Sequence, residues 1–262
     1  MPRNFGMADA TLRSDRVSED AYLGGRLRLR QPHEGHRAGS DAILLAAAAP
    51  ETISGVALDL GAGVGAAGLA LAALRPELSF GLVERDPGLA ALARDNLAQN
   101  GMMPRGAVYE ADLLDRESRR FAGLADAEAA LVITNPPFFE AGSVHLSPQA
   151  DKRAAHVMAK GVRLDSWIVA SLALLADGGL FVMIHRPENL PAMLEALAGR
   201  GGEIAVKPIQ PHHGKAATRV LLRARKGSRA PLALLEPLVL HDENGFTPAA
   251  DAIHRGSALI TW

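Results

Sequence analysis

Hydrophobic and polar positions follow two rhythms along this chain, and the rhythm changes at glycines, prolines and short polar residues. "GRLRLRQ" (25–31) interleaves Leu with Arg, the period-two pattern of a half-buried strand. "SDAILLAAAAP" (40–50) reads as a helix, with Ser40 or Asp41 as its N-cap and Pro50 beyond its end. From there strands and helices alternate. "VALDL" (56–60) is a buried strand, Gly61 to Gly65 a Gly-rich turn, and "AAGLALAAL" (66–74) a helix. "LSFGLVE" (78–84) is the next strand. Asp86 then caps a helix with Pro87 at its first position, which runs to Gln99 and stops at Asn100-Gly101. "GAVYEAD" (106–112) and "AALVITN" (129–135) are the third and fourth strands of this series.

Downstream, Pro136 to about Val162 reads as a long loop, a length that is usually functional or disordered. A helix over 163–179 with a Gly-Gly stop, a fully apolar strand "LFVMIH" (180–185) and a helix over 187–202, bent at Pro191, follow. "EIAVKPIQP" and "ATRVLLRARKG" have no helix between them and are expected to pair antiparallel. Repeated β-α units with apolar strands predict an α/β fold, a mostly parallel sheet of about seven strands with an antiparallel edge pair and helices on both faces. Residues 1–24 lack periodicity and read as a flexible arm; 25–262 read as a single domain.

Composition narrows the chemistry. Hydrophobic residues make up 48% of the 262, enough for a sizeable core. There is no Cys, which excludes disulfides, thiolate metal sites and cysteine nucleophiles and fits a reducing cytoplasm. The first twenty residues have no secretory h-region, and no apolar run is long enough to span a bilayer, so no membrane is expected. Net charge is −1, against an indiscriminate polyanion binder, but its distribution is uneven. Between Ile204 and Leu235 there is no acid, only Lys207, Lys215, Arg219, Arg223, Arg225, Lys226 and Arg229. A second basic cluster runs from Arg26 to Arg37, broken by Glu34 alone. Such stretches can make one positive face.

"DLGAGVG" puts Asp59 at a strand end and Gly61, Gly63 and Gly65 at alternate positions, with Ala62 between. Glycines there allow positive φ and close ligand approach, in the crevice beyond the strand ends. The spacing departs from the dinucleotide fingerprint and suits S-adenosylmethionine, whose cationic amino group favours acceptors and an acid. Glu84, followed by Arg85, ends the next strand, where an acid accepts from ribose hydroxyls. Asp112 ends the third strand, in reach of an adenine amino group.

The fourth strand runs into "TNPPFF" (134–139). Pro136 and Pro137 stiffen the exit and hold Asn135 extended. The Asn135 amide oxygen and the Pro136 carbonyl are two rigid acceptors, matched to the two N–H donors of an exocyclic amine. Phe138, with Phe139 behind it, offers a flat face for a planar substrate, and base stacking of that kind is worth about 1–3 kcal/mol. His212-His213 has no third ligand suitably spaced, so no metal is expected.

"DLGAGVG", Glu84, "EAD" and "NPPF", in that order, resemble the amino-methylating class I (Rossmann-like) methyltransferases over residues 55–186. That resemblance alone leaves several planar amines open: DNA adenine or cytosine, ribosomal RNA guanine, or a Gln amide of a release factor. "QPHEGHRAGSDAILLAAAA" (31–49) resembles the N-terminal block of bacterial valine-tRNA adenine methyltransferases, with His36 where an aromatic is usual. "GKAATRVLLRARKGS" and "PLVLHDENGFTPAADAIHRG" resemble that family's closing strands and its Gly-aromatic-Thr motif. The resemblance implies transfer of a methyl group from S-adenosylmethionine to the adenine beside the anticodon of a valine tRNA. It puts Arg37, Ser40 and Asp41 near the cofactor or the crevice. Lys152 and Arg153 in the long loop, with Lys215 and Arg219, are candidates for RNA phosphates. Oligomeric state is left open.

Overall fold

The computed structural model describes residues 17–33, 37–137 and 163–262. His36, Phe138, Phe139, Lys152, Arg153 and most of the expected long loop lie outside the described residues.

The chain begins with an antiparallel hairpin, β1 (Val17–Tyr22) and β2 (Leu27–Pro32). β2 buries Leu27, Leu29 and Gln31 and exposes Arg28 and Arg30, as its alternation predicts. Residues 17–22 were expected to belong to a flexible arm. They form a strand because pairing, rather than an apolar stripe, fixes them. Asn96 and Asn100 then satisfy the backbone of β2: Arg30 N–H donates to Asn96 Oδ1 at 2.7 Å, and Asn100 Nδ2 donates to Arg28 O at 2.7 Å.

Ten strands form the main sheet among the described residues, against about seven expected. They are β3 (Val56–Leu60), β4 (Ser79–Glu84), β5 (Gly106–Glu110), β6 (Ala129–Thr134), β7 (Leu175–His185), β8 (Gly201–His212), β9 (Arg219–Lys226), β10 (Ala233–Leu234), β11 (Leu238–Asp242) and β12 (Gly245–Phe246). The order is β12-β11-β8-β9-β7-β6-β3-β4-β5, with β10 beside β8. β3 to β7 are parallel; β9 runs antiparallel to both β7 and β8; β11 is parallel to β8. The carboxyl ends of β3 to β8 and β11 therefore share one edge with the start of β9.

Helices cover both faces: α1 (Ser40–Ala47), α2 (Ala66–Leu74), α3 (Pro87–Gln99), α4 (Arg116–Phe121), α5 (Leu164–Leu174), α6 (Leu190–Leu197) and α7 (Pro248–His254). In β7, Leu180, Val182 and Ile184 join one core with α1, α2, α3 and the hairpin. Phe181 and Met183 join the other core, with α5 and α6. An apolar run without alternation is what a strand buried on both faces requires. No helix among the described residues is long and apolar enough to cross a membrane.

Three boundaries differ from expectation. Gly39, extended and without a side-chain cap, precedes α1, so neither Ser40 nor Asp41 is the N-cap. α5 ends at Leu174, and "LADGG" is already extended: the register jumps from Ala129↔Leu175 to Leu131↔Leu180, so the Gly-Gly pair sits in an irregularity of the sheet. The helix expected over 187–202 is a 3-10 turn (Pro187–Asn189) followed by α6, and Gly201 already belongs to β8.

Candidate active site

The Gly-rich turn closes the carboxyl end of β3. Gly61, Gly63 and Gly65 all adopt positive φ, at 70°, 57° and 88°, a conformation that costs other residues. Gly65 is the N-cap of α2, and a Cβ there would stand 2.8 Å from Leu82 Cδ1, so glycine lets the helix pack onto β4. At Gly63 a Cβ would meet nothing within 4 Å: the crest of the turn borders open space. The N–H groups of Gly61 and Ala62 both donate to Val83 O, at 2.9 and 3.0 Å, which ties the turn to β4.

Two of the expected acids hold this turn in shape. Asp59 is buried and accepts from Gly68 N–H at 2.8 Å. Burial lifts its carboxyl up to about 7; the Gly68 bond pulls it back and the nearby Glu84 charge pushes it further up. Glu84 is buried too, and its two oxygens accept from Gly63 N–H and Asp86 N–H, both at 2.8 Å. Each oxygen of a carboxylate has two lone pairs, so both retain acceptor capacity. Asp112 lies two residues past β5 and accepts from Leu114 N–H at 2.9 Å. Arg85 stands 3.8 Å from it in an exposed ion pair, a kind that contributes little stability.

β6 delivers Asn135 beside this turn. Leu60 and Thr134 are register partners, so Asn135 follows Thr134 as Gly61 follows Leu60. Asn135 and Pro137 are half-buried and Pro136 is buried. The buried Thr134 hydroxyl donates to Leu60 O at 2.8 Å and accepts from Trp167 Nε1–H at 3.0 Å. The Trp167 ring also walls Gly61, where a Cβ would lie 3.0 Å from Cζ2 and Cη2. The sequence pattern places Trp167 on a helix but does not reveal this contact. The only local signal was an indole N–H on a buried helix face, which needs a partner.

Further along the edge, Asp41 accepts from Arg219 Nε at 2.8 Å. This pair stands at the start of β9, two strands from Asn135, so Asp41 and its neighbour Ser40 sit on that side of the crevice. Beside Arg219, His185 ends β7. Its Nδ1 accepts from Arg186 N–H at 2.8 Å, and burial takes its pKa down to about 4. Arg37 donates to Asp20 Oδ2 at 2.6 Å and braces the hairpin.

The basic stretches do not make one face. Lys215, in the exposed β8–β9 turn, and Arg219 lie at the active edge. Lys226 pairs in register with Gly201 at the opposite edge, Arg225 bonds Glu203 at 2.7 Å, and Arg223 stacks over Trp262. In the other cluster, Arg26 is spent on Arg255 O and Gly256 O and Arg28 on Glu19. A strand that crosses the sheet carries its charges across with it, which is why an unbroken basic stretch divides.

Comparison with known proteins agrees with this geometry. The methyltransferase small domain family matches residues 36–205. The tRNA1(Val) (adenine(37)-N6)-methyltransferase of Aeromonas hydrophila is 30% identical over 193 residues, covering 73% of this chain and 77% of that protein. A release factor glutamine methyltransferase of Vibrio cholerae is 33% identical, but over only 51% of this chain and 46% of its own. The crystal structure of a predicted O-methyltransferase from Agrobacterium tumefaciens superposes with a TM-score of 0.70 at 32% identity, over 84% of this chain and 98% of that one. With its class I fold, its Gly-rich turn and Asn-Pro-Pro on adjacent strands, this chain belongs to the methyltransferase small domain family.

Proposed function

We propose that this protein transfers a methyl group from S-adenosylmethionine to the exocyclic amine of an unpaired adenine in tRNA, at the position beside the anticodon of a valine tRNA. The observation that carries the reading is the Leu60–Thr134 register, which sets Asn135-Pro136 next to the Gly-rich turn. S-adenosylmethionine supplies a methyl group activated by a sulfonium. The open crest at Gly63 leaves room for such a ligand, and Glu84, already bonded to that crest, has lone pairs left for ribose hydroxyls. Asp112 is the acceptor for the cofactor's adenine amine.

The Asn135 amide oxygen and the Pro136 carbonyl accept the two N–H bonds of the substrate amine. That draws its lone pair out of the ring, towards the methyl carbon. The new N–C bond forms as the C–S bond breaks, and the nitrogen then gives its extra proton to solvent. No strong base is required at the outset; the gain comes from positioning and from preorganised acceptors. A hydroxyl has one donor and would leave one acceptor unused, which favours an amine over the oxygen named for the Agrobacterium neighbour. Phe138 is assigned to stack on the base, and Lys152, Arg153, Lys215 and Arg219 to RNA phosphates, in the cytoplasm.

The test is to offer total bacterial RNA, genomic DNA and a protein extract together with labelled S-adenosylmethionine. Label in tRNA is expected. Label in protein instead would move the same acceptors onto a Gln amide and overturn the RNA assignment.

A further inference from the structure

At the far end of the same edge, four rings stand in a row. His212 ends β8 and is the register partner of His241 on β11, their centroids 5.6 Å apart. His241 pairs in turn with Phe246 on β12, stacked at 4.8 Å and 15°. Phe246 stacks on His254 of α7 at 4.2 Å and 21°. Thr247 fixes the turn between them: its hydroxyl donates to Val239 O at 2.8 Å and accepts from Ala250 N–H at 3.2 Å. His254 Nδ1–H donates to Ala250 O at 2.7 Å, which holds the last ring in place. The His254 end of the row is thus anchored, while Phe246 and the outer end, His212, are exposed.

An open hollow of about 590 Å³ lies against this outer end, lined by His212, His213, His241, Asp242 and Glu243 among others. Among the described residues no three such side chains converge as a metal site would require. Two acids at the rim disfavour a phosphate there. Their oxygens do accept N–H bonds. A flat ring with N–H donors suits both features, the ring faces for stacking and the carboxylates for its edge.

The hollow opens on the active edge, and β8 is three strands from β6. At about 4.8 Å per strand this is roughly 14 Å, or about four nucleotides at the 3.4 Å spacing of a stacked strand. Arg219 and Lys215 lie on the path between, where phosphates would pass. We propose that the His212–His241–Phe246 row and the acid-rimmed hollow beside it bind a second unpaired nucleobase of the RNA substrate, one that carries an exocyclic amine. The assignment rests on the reading of the substrate as RNA. It makes the protein grip two bases of one loop, one for chemistry and one for register.

The experiment uses the full chain and an anticodon-arm hairpin with 2-aminopurine placed at each unpaired position in turn. The wild type should quench one position besides the target. His241→Ala should abolish that quench and raise the KM for tRNA on the order of tenfold, the scale of one lost base stack, with the loss falling on KM rather than kcat. Asp242→Asn, on an exposed side chain, tests the hollow independently of the ring packing: it should weaken binding of a hairpin with an amine-bearing base there, relative to uracil. Quenching confined to the target, or a KM unchanged within twofold in both variants, overturns the proposal. Quenching is read without methyl transfer, so an enzyme that proved to methylate protein would sink the RNA reading separately from this site.

Discussion

The indole Nε1–H of Trp167 donates to the hydroxyl of Thr134, one residue before Asn135, while the same indole closes over Gly61. One side chain from α5 therefore steadies both halves of the site, the Gly-rich turn and the Asn-Pro-Pro exit. Thr134 in turn bonds Leu60 O, so β3, β6 and α5 are tied at one point. Through these neighbours Trp167 acts as a positioning residue.

Trp167→Phe removes the donor and, because Cζ2 and Cη2 of the indole's outer ring are what face Gly61, also opens the wall there. A net cost of about 1 kcal/mol is expected, read as a few degrees in Tm, with kcat reduced several-fold more than the KM for cofactor changes. Thr134→Val removes both hydrogen bonds of this buried hydroxyl, to Leu60 O and from Trp167, and costs about 1–3 kcal/mol. The double variant should lose less than the sum of the two. Additive losses in thermal melts would show that the two groups do not act through one bond.

Asp59 and His185 give opposite dependences on pH. The Asp59 carboxyl, raised by burial from 3.8 to about 7, stabilises the fold fully below its unfolded value and loses that contribution as pH rises through 7. His185, lowered by burial from 6.5 to about 4, does the reverse: its contribution is present above 6.5 and lost as pH falls through 4. Asp59→Asn should therefore gain on the wild type as pH rises from roughly 4 to 7, and His185→Gln should gain as pH falls through the same range, each by about 1 kcal/mol per pH unit. Melting curves across that range decide it; variant and wild-type profiles that run parallel would refute the buried-group account.

The divided basic stretch predicts which cations meet RNA. Lys215→Ala should flatten the salt dependence of tRNA binding by about one unit of log–log slope. Lys226→Ala, at the opposite edge and bonded to Leu175 O, should leave the slope alone. Equal effects of the two would mean that RNA covers the whole sheet rather than its carboxyl edge.

Much of the fold was legible where local chemistry and tertiary structure agree. Asp86, Pro87 and Asn100-Gly101 carry start and stop signals, and α3 runs from Pro87 to Gln99 as they say. The Gly-rich turn and the antiparallel β8–β9 pair were equally plain. Strand β1 was not, because Val17–Tyr22 is held by its partner β2 rather than by its own alternation. α4 escaped notice for a similar reason: "RESRRF" has no apolar stripe, and Asp115, accepting from Glu117 and Ser118 N–H, supplies its cap. Within the site, residue types pointed to the chemistry, but their division of labour needed coordinates. Asp59 spends a hydrogen bond on the first turn of α2, Glu84 on the Gly-rich turn, Arg37 on the hairpin, and Asp41 on Arg219. The ring row from His212 to His254 was invisible in the sequence, since sheet register joins His212, His241 and Phe246 and the packing of α7 adds His254.

The most direct measurement compares wild type and Asn135→Ala on purified tRNA with labelled S-adenosylmethionine, digesting the RNA to nucleosides and measuring cofactor affinity in parallel. Expected are label in N6-methyladenosine for the wild type, a loss of transfer of at least about a hundredfold for Asn135→Ala, and cofactor affinity within a few-fold. Full transfer by Asn135→Ala, or label on a ribose oxygen instead of the amine, would contradict the proposed chemistry.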